Sequence, residues 1–242
     1  MKIRYKKAAS VFLDALFPRR CPVCGDIAAP VGNLICPSCR DKLSFVKSPV
    51  CKKCGKEVMS ETIEYCFDCS RHRRSFEYGL ALLNYNELSG RSMAAVKYKN
   101  RREYLDYYAE EAIRRCGAKL SAMEADCMIP VPIHPSRYRS RGFNQALVLA
   151  RKLEERMGIP VCPDILKRNK NTEPQKELGP AGRLKNLEQA FSAGPVPDGI
   201  TSVILIDDIY TTGSTIEACT RVLRAAGVKN VYFFAVCIGQ GQ

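Results

Sequence analysis

Thirteen consecutive residues, VILIDDIYTTGST at 203–215, join two adjacent acids to a run of hydroxyls interrupted by one glycine. The apolar part reads as a buried strand, and Asp207 and Asp208 stand at its carboxyl end, where open α/β sheets bind their ligands. Carboxylates placed there accept hydrogen bonds from vicinal ribose hydroxyls or attract a hydrated Mg2+. The residues that follow open a helix, so the backbone N–H groups of 211–215 and the helix dipole form an anion site. Hydroxyls of Thr211, Thr212, Ser214 and Thr215 add donors for phosphate oxygens, and Gly213 lets the backbone close in. Each feature alone is an ordinary loop or helix cap. Together they describe a site for a sugar phosphate.

A second chemistry sits in the cysteines. Of thirteen, eight fall into four Cys-x-x-Cys pairs: Cys21 and Cys24, Cys36 and Cys39, Cys51 and Cys54, Cys66 and Cys69. The second quartet repeats the first at an offset of thirty residues. Paired turns of this kind favour thiolates on metal over a disulfide scaffold, because each turn places two sulfurs on one cation and two turns complete a tetrahedron. Two structural Zn2+ ions are expected, supplying folding energy that so little apolar material cannot. Two pairings remain open: each repeat closes its own site, or the turns interleave, first with third and second with fourth. Four thiolates saturate the ion, so the role is structural in either case. Cys116, Cys127, Cys162, Cys219 and Cys237 stand singly and read as small buried hydrophobes.

The remaining sequence must position these groups. An apolar stretch within 11–17, interrupted by Asp14, reads as an amphipathic helix packing Val11, Leu13, Leu16 and Phe17. No segment approaches the ~20 apolar residues of a membrane span, so membrane insertion is not expected and the cytoplasm is the expected compartment. A strand is expected within 76–85, helices over 89–99 and 103–116, a buried strand over 126–133, and a helix over 144–157 stopped by Gly158. A long mobile loop is expected over 169–182. Strand 202–206, helix 214–226 and strand 230–238 form a parallel crossover. The division expected is a metal-binding module over 1–74 and an α/β domain over 75–242. Net charge is +13, with basic clusters at Arg71, Arg73 and Arg74, at Lys97, Lys99, Arg101 and Arg102, and at Arg137, Arg139 and Arg141. Such a surface favours polyanions.

The 203–215 stretch closely resembles the 5-phosphoribosyl-1-pyrophosphate (PRPP) motif of type I phosphoribosyltransferases. That resemblance implies ribose hydroxyls on Asp207 and Asp208, the 5-phosphate on Thr211, Thr212, Gly213, Ser214 and Thr215, and Mg2+ with the ligand. It also makes 130–134 a pyrophosphate loop, with His134 in contact and Arg139 and Arg141 nearby. Upstream, PVPIHPSRYRSRGFNQA at 130–146 resembles the signature of the ComF family of competence proteins. The paired Cys-x-x-Cys units, Lys97-Tyr98-Lys99, Arg168, Thr172 and Gln175, and Arg183 and Asn186 with Phe191 follow in family order. The fold implied is a phosphoribosyltransferase-like α/β parallel sheet with flanking helices, preceded by a small double zinc-knuckle module of the four-cysteine type. The family implies a cytoplasmic role in natural transformation, handling internalised single-stranded DNA, with a helicase or recombination protein as partner.

Three activities fit these residues. One is transfer of ribose 5-phosphate from PRPP with release of pyrophosphate, Thr172, Gln175 and Arg183 closing as a lid. Another is a nucleic-acid accessory role, in which Tyr138 and Phe143 stack on bases. The third is sensing of PRPP without chemistry.

Overall fold

The computed structural model of the chain describes residues 18–30, 32–169 and 187–239. The expected N-terminal helix and the lid residues Thr172, Gln175 and Arg183 lie outside the described residues.

Both cysteine repeats fold alike, because the same local pattern recurs. In each, the amide of the first cysteine bonds the carbonyl five residues on (Cys21 to Asp26 and Cys51 to Lys56, both 2.7 Å), and the glycine amide returns to that cysteine. Gly25 and Gly55 take φ of 81° and 77°, the left-handed region that only glycine enters without strain. Cys36 and Cys66 then cap two short helices, α1 (Pro37–Arg40) and α2 (Phe67–Arg71). The sulfurs of Cys21, Cys24, Cys36 and Cys39 converge within 4.8 Å of one another, and so do those of Cys51, Cys54, Cys66 and Cys69. Each repeat therefore closes its own site, and the interleaved pairing is not adopted.

Beyond these two cysteine repeats, each called a ribbon below, the chain builds a four-stranded parallel sheet in the order β1-β6-β5-β2. Its strands are β1 (Gly79–Asn84), β2 (Cys127–Pro130), β5 (Ser202–Tyr210) and β6 (Asn230–Ile238). Helices α3 (Glu87–Tyr98), α4 (Tyr104–Ser121) and α6 (Gln145–Met157) cover one face. The other face carries α7 (Ser214–Ala225) and an antiparallel hairpin of β3 (Leu166–Arg168) and β4 (Phe191–Ala193). The β2 strand is shorter than expected. A helix not expected from the sequence, α5 (Pro135–Arg141), follows it.

The ribbons are built into the cores on the sheet's two faces. Cys21, Cys39, Leu43 and Phe45 pack with Tyr104, Tyr107 and Tyr108 on one face, whereas Cys51, Cys54, Cys66 and Phe76 pack on the other. Residues 44–46 also line the edge of β1, with Val46 bonding Leu82 and Asn84 bonding Ser44, so this edge is not left open to another chain. Buried Glu111 on α4 gathers Arg40 of the first ribbon together with Arg114 and Arg115. Burial works to raise the Glu111 carboxyl, but the bonds from Arg114 and Arg115 and the Arg40 charge outweigh it and hold it below the usual glutamate range.

A carboxyl depressed on folding contributes stability above its unfolded pKa of about 4.3 and loses it as pH falls through the folded value. Glu111→Gln should cost about 1–3 kcal/mol in urea unfolding at pH 7. The gap to the parent protein should narrow as pH drops below about 4. An equal gap at both pH values would show that the ion pairs add nothing.

Candidate functional site

The site forms where β5 ends. Pairing with β2 stops at Ile206 while pairing with β6 runs on to Tyr210, and the acids in that last stretch are enclosed: Asp207 is 9% exposed and Asp208 5%. Helix α6 packs on one face of the sheet and α7 on the other, and in open α/β sheets the crevice outside the strands' carboxyl ends, here those of β2 and β5, is where ligands bind. Asp208 meets the first face, accepting from Gln145 Nε2 on α6 at 3.0 Å and pairing with Lys97 Nζ at the end of α3. Asp207 accepts its neighbour's amide at 2.8 Å. Burial first, and the Asp208 charge second, push the Asp207 carboxyl up to about 8, with Lys97 pulling the other way.

Past Tyr210 the chain turns sharply into α7. Gly213 is the residue before the helix, at φ 75°, and a Cβ there would lie 2.2 Å from Tyr210 Oη. Thr211 and Thr212 are exposed, Ser214 and Thr215 half-buried. Thr212 Oγ1 and Ser214 Oγ lie 3.0 Å apart. No side chain caps α7, so its first amides face the crevice without a protein acceptor from a cap. Hydroxyls and amides thus stand beside two enclosed carboxyls within one turn of chain.

Across the crevice, β2 hands over to α5. His134 caps that helix, its Nδ1 accepting from the Ser136 amide at 3.2 Å and lying 2.7 Å from Ser136 Oγ. The cluster of Arg137, Arg139 and Arg141 is therefore helical. Arg141 lies 5.6 Å over the Tyr98 ring and bonds Gln145, which ties it to Asp208. Arg139 is exposed and has no polar partner among the described residues. The β3–β4 hairpin adds Arg168, whose pKa burial lowers first and the nearby Arg137 charge second. Two guanidiniums in reach of each other at the rim of the crevice suit a multiply charged anion.

Lys97, Gln145 and Arg168 had no role deduced from their own spacing, because only tertiary packing brings them to Asp207 and Asp208. Phe143 is 5% exposed beneath the Arg102 guanidinium and is a core residue, which overturns its expected stacking role; Tyr138 is 51% exposed. Of the single cysteines, Cys116, Cys127, Cys219 and Cys237 are buried and Cys162 half-buried. Burial pushes the Cys237 thiol up to about 12 and raises the thiols of Cys116, Cys127 and Cys219. None of these four is poised as a nucleophile. The two four-cysteine clusters fit zinc: eight sulfurs in two closed quartets, such as Cys54 and Cys66 at 3.5 Å, match its donor set and leave no position for substrate.

The unfolded chain ionises Asp207 near about 4, the folded chain near about 8. The folded state binds the extra proton between those values, so it loses stability as pH rises across them. Asp207→Asn should remove this loss, giving a melting temperature above the parent's at pH 8 and merging with it toward pH 4. Parallel pH profiles would place the Asp207 carboxyl in solvent.

A model of the double zinc ribbon domain matches residues 12–70, and a model of the phosphoribosyl transferase domain matches residues 140–242. Competence protein F of Haemophilus influenzae is 37% identical over 108 residues, 44% of this chain and 47% of that protein. Competence protein ComFC of Streptococcus pneumoniae is 33% identical over 111 residues, 45% of this chain and 46% of that protein. The DNA utilization protein YhgH of Salmonella typhi is 31% identical over 112 residues, 46% and 49% of the two chains. The chain spans about half the length of the curated relatives it matches. The chain thus combines a match to the double zinc ribbon domain with a match to the phosphoribosyl transferase domain, and the relatives it resembles include proteins named competence protein F and ComFC.

Proposed function

We propose that the crevice binds PRPP with Mg2+ and that the protein acts in natural transformation in the cytoplasm, on internalised single-stranded DNA. The observation that carries the ligand is the enclosed Asp207–Asp208 pair running directly into an uncapped helix start with exposed hydroxyls. In this reading Asp207 and Asp208 take the ribose hydroxyls, and the amides and hydroxyls of 211–215 take the 5-phosphate. Arg137, Arg141, Arg168 and His134 take the diphosphate. Mg2+ supplies charge neutralisation on the diphosphate oxygens. Residues 1–74 serve as the metal-stabilised unit and 75–242 as the ligand-binding unit.

If the protein catalyses transfer, the C1–O bond to pyrophosphate breaks with its electron pair leaving on the diphosphate, and the acceptor's lone pair forms the new bond to C1. The cationic rim stabilises the leaving charge. The role on DNA is supported by the names of the relatives, and by exposed Tyr98 and Tyr138, 78% and 51% accessible, the first between Lys97 and Lys99 and the second between Arg137 and Arg139. A helicase or recombination protein of the competence machinery is the partner this reading implies.

Isothermal titration with PRPP and Mg2+ should give saturable binding, weakened roughly 10- to 100-fold in Asp208→Asn. Unchanged affinity would remove the acid from the site. Titration with a single-stranded oligonucleotide should show affinity falling steeply with salt. No binding at low salt would end the DNA reading.

A further inference from the structure

The two zinc ribbons are alike in sequence spacing and in local fold, yet they touch different parts of the molecule. Contacts of the first run to α4, through Arg40 and Glu111 and through the core at Cys21, Cys39 and Phe45. Those of the second run to β1, where the Gly79 amide bonds the Lys53 carbonyl and Asn84 bonds Glu57, and also to 210–217, the turn that carries the proposed phosphate-binding groups.

Three separate links make that connection. Arg74, on the segment leaving the second ribbon, donates through one terminal nitrogen to the Thr212 carbonyl at 2.8 Å, and its Nε is buried with no partner among the described residues. Ser75 donates through its amide (2.8 Å) and hydroxyl (2.7 Å) to Glu217, a fully enclosed acid in the first turn of α7. Tyr210 stacks on Phe233 at 4.7 Å, Phe233 meets Phe76 edge-on at 5.1 Å, and buried Lys56 of the ribbon lies 6.0 Å over the Tyr210 ring. Tyr210 Oη in turn occupies the space where any side chain at 213 would stand.

A carbonyl that accepts an outside donor is held in one orientation, and the amide of the same peptide unit is held with it. Fixing Thr212 O therefore fixes the Gly213 amide, one of the groups that face the ligand. We infer that Arg74 is a positioning residue for the phosphate loop, through which the second ribbon, and not the first, sets the loop's binding conformation. This deepens the PRPP reading and rests on it for the ligand, though not for the loop geometry.

The test uses the full-length, zinc-loaded protein and three variants. Arg74→Met keeps the stem and removes the donor, Arg74→Lys restores a donor, and Arg73→Ala removes a neighbouring exposed charge that has no bond to the loop. Hydrogen exchange of the 211–215 amides without ligand should rise in Arg74→Met and return toward the parent in Arg74→Lys. PRPP affinity in Mg2+ should fall between about threefold and tenfold in Arg74→Met, recover in Arg74→Lys, and change less than about twofold in Arg73→Ala. Equal losses in Arg74→Met and Arg73→Ala would show a general charge effect and overturn the inference, as would unchanged exchange in Arg74→Met. If the parent protein fails to bind PRPP, the ligand assignment falls, while the exchange experiment still decides whether Arg74 holds the loop.

Discussion

Two adjacent carboxyls enclosed at the end of a central strand are the constraint on which the rest of this structure depends. Placing charge there is unfavourable, since burial penalises each ion and each ion penalises the other. The fold meets that cost unequally. Asp208 receives Lys97 and Gln145 from two helices on one face, while Asp207 keeps a neighbour's amide and a carboxyl pushed up to about 8. Under the proposed function, the hydroxyls of a bound ribose would supply the donors that this pair lacks in the free protein. A ligand that satisfied both carboxyls would stabilise the folded protein by mass action.

Holding those carboxyls requires a sheet covered on both faces, and its two outer strands, β1 and β2, are shorter than the nine-residue β5 and β6 between them, which leaves part of that cover to other elements. The ribbons extend it. Their cysteines, with Phe45 on one side and Phe76 on the other, are packed into the cores of the two faces, so metal and hydrophobic burial act on the same residues. Placement of one ribbon on each face also explains how units of the same local fold come to serve different elements. The first is tied to α4 by Arg40 on the buried Glu111, the second to the turn into α7.

What could be read from the sequence follows the range of the interactions involved. The Cys-x-x-Cys turns and the 203–215 run are local, so spacing alone located them, and β6 matches its expected range of 230–238 because its apolar run is bounded by polar residues. Helix α5 was legible in principle, since Pro135 follows a capping His134, but the density of arginine read as an anion-binding cluster beside a loop. The β3–β4 hairpin joins three-residue strands that lie more than twenty residues apart in sequence, and nothing local marks strands that short. Pairing of the cysteine turns, the burial of Phe143 and the approach of Lys97 to Asp208 are decided by packing between distant elements. Spacing could not supply them.

The most direct measurement is the crystal structure of the protein grown with PRPP and Mg2+. The account predicts the 5-phosphate within hydrogen-bond distance of the 211–215 amides and the ribose hydroxyls on Asp207 and Asp208, with Lys97 drawn off the carboxylate or bridging to the ligand. A ligand seated elsewhere on the protein, with Lys97 and Gln145 still closed on Asp208, would contradict it.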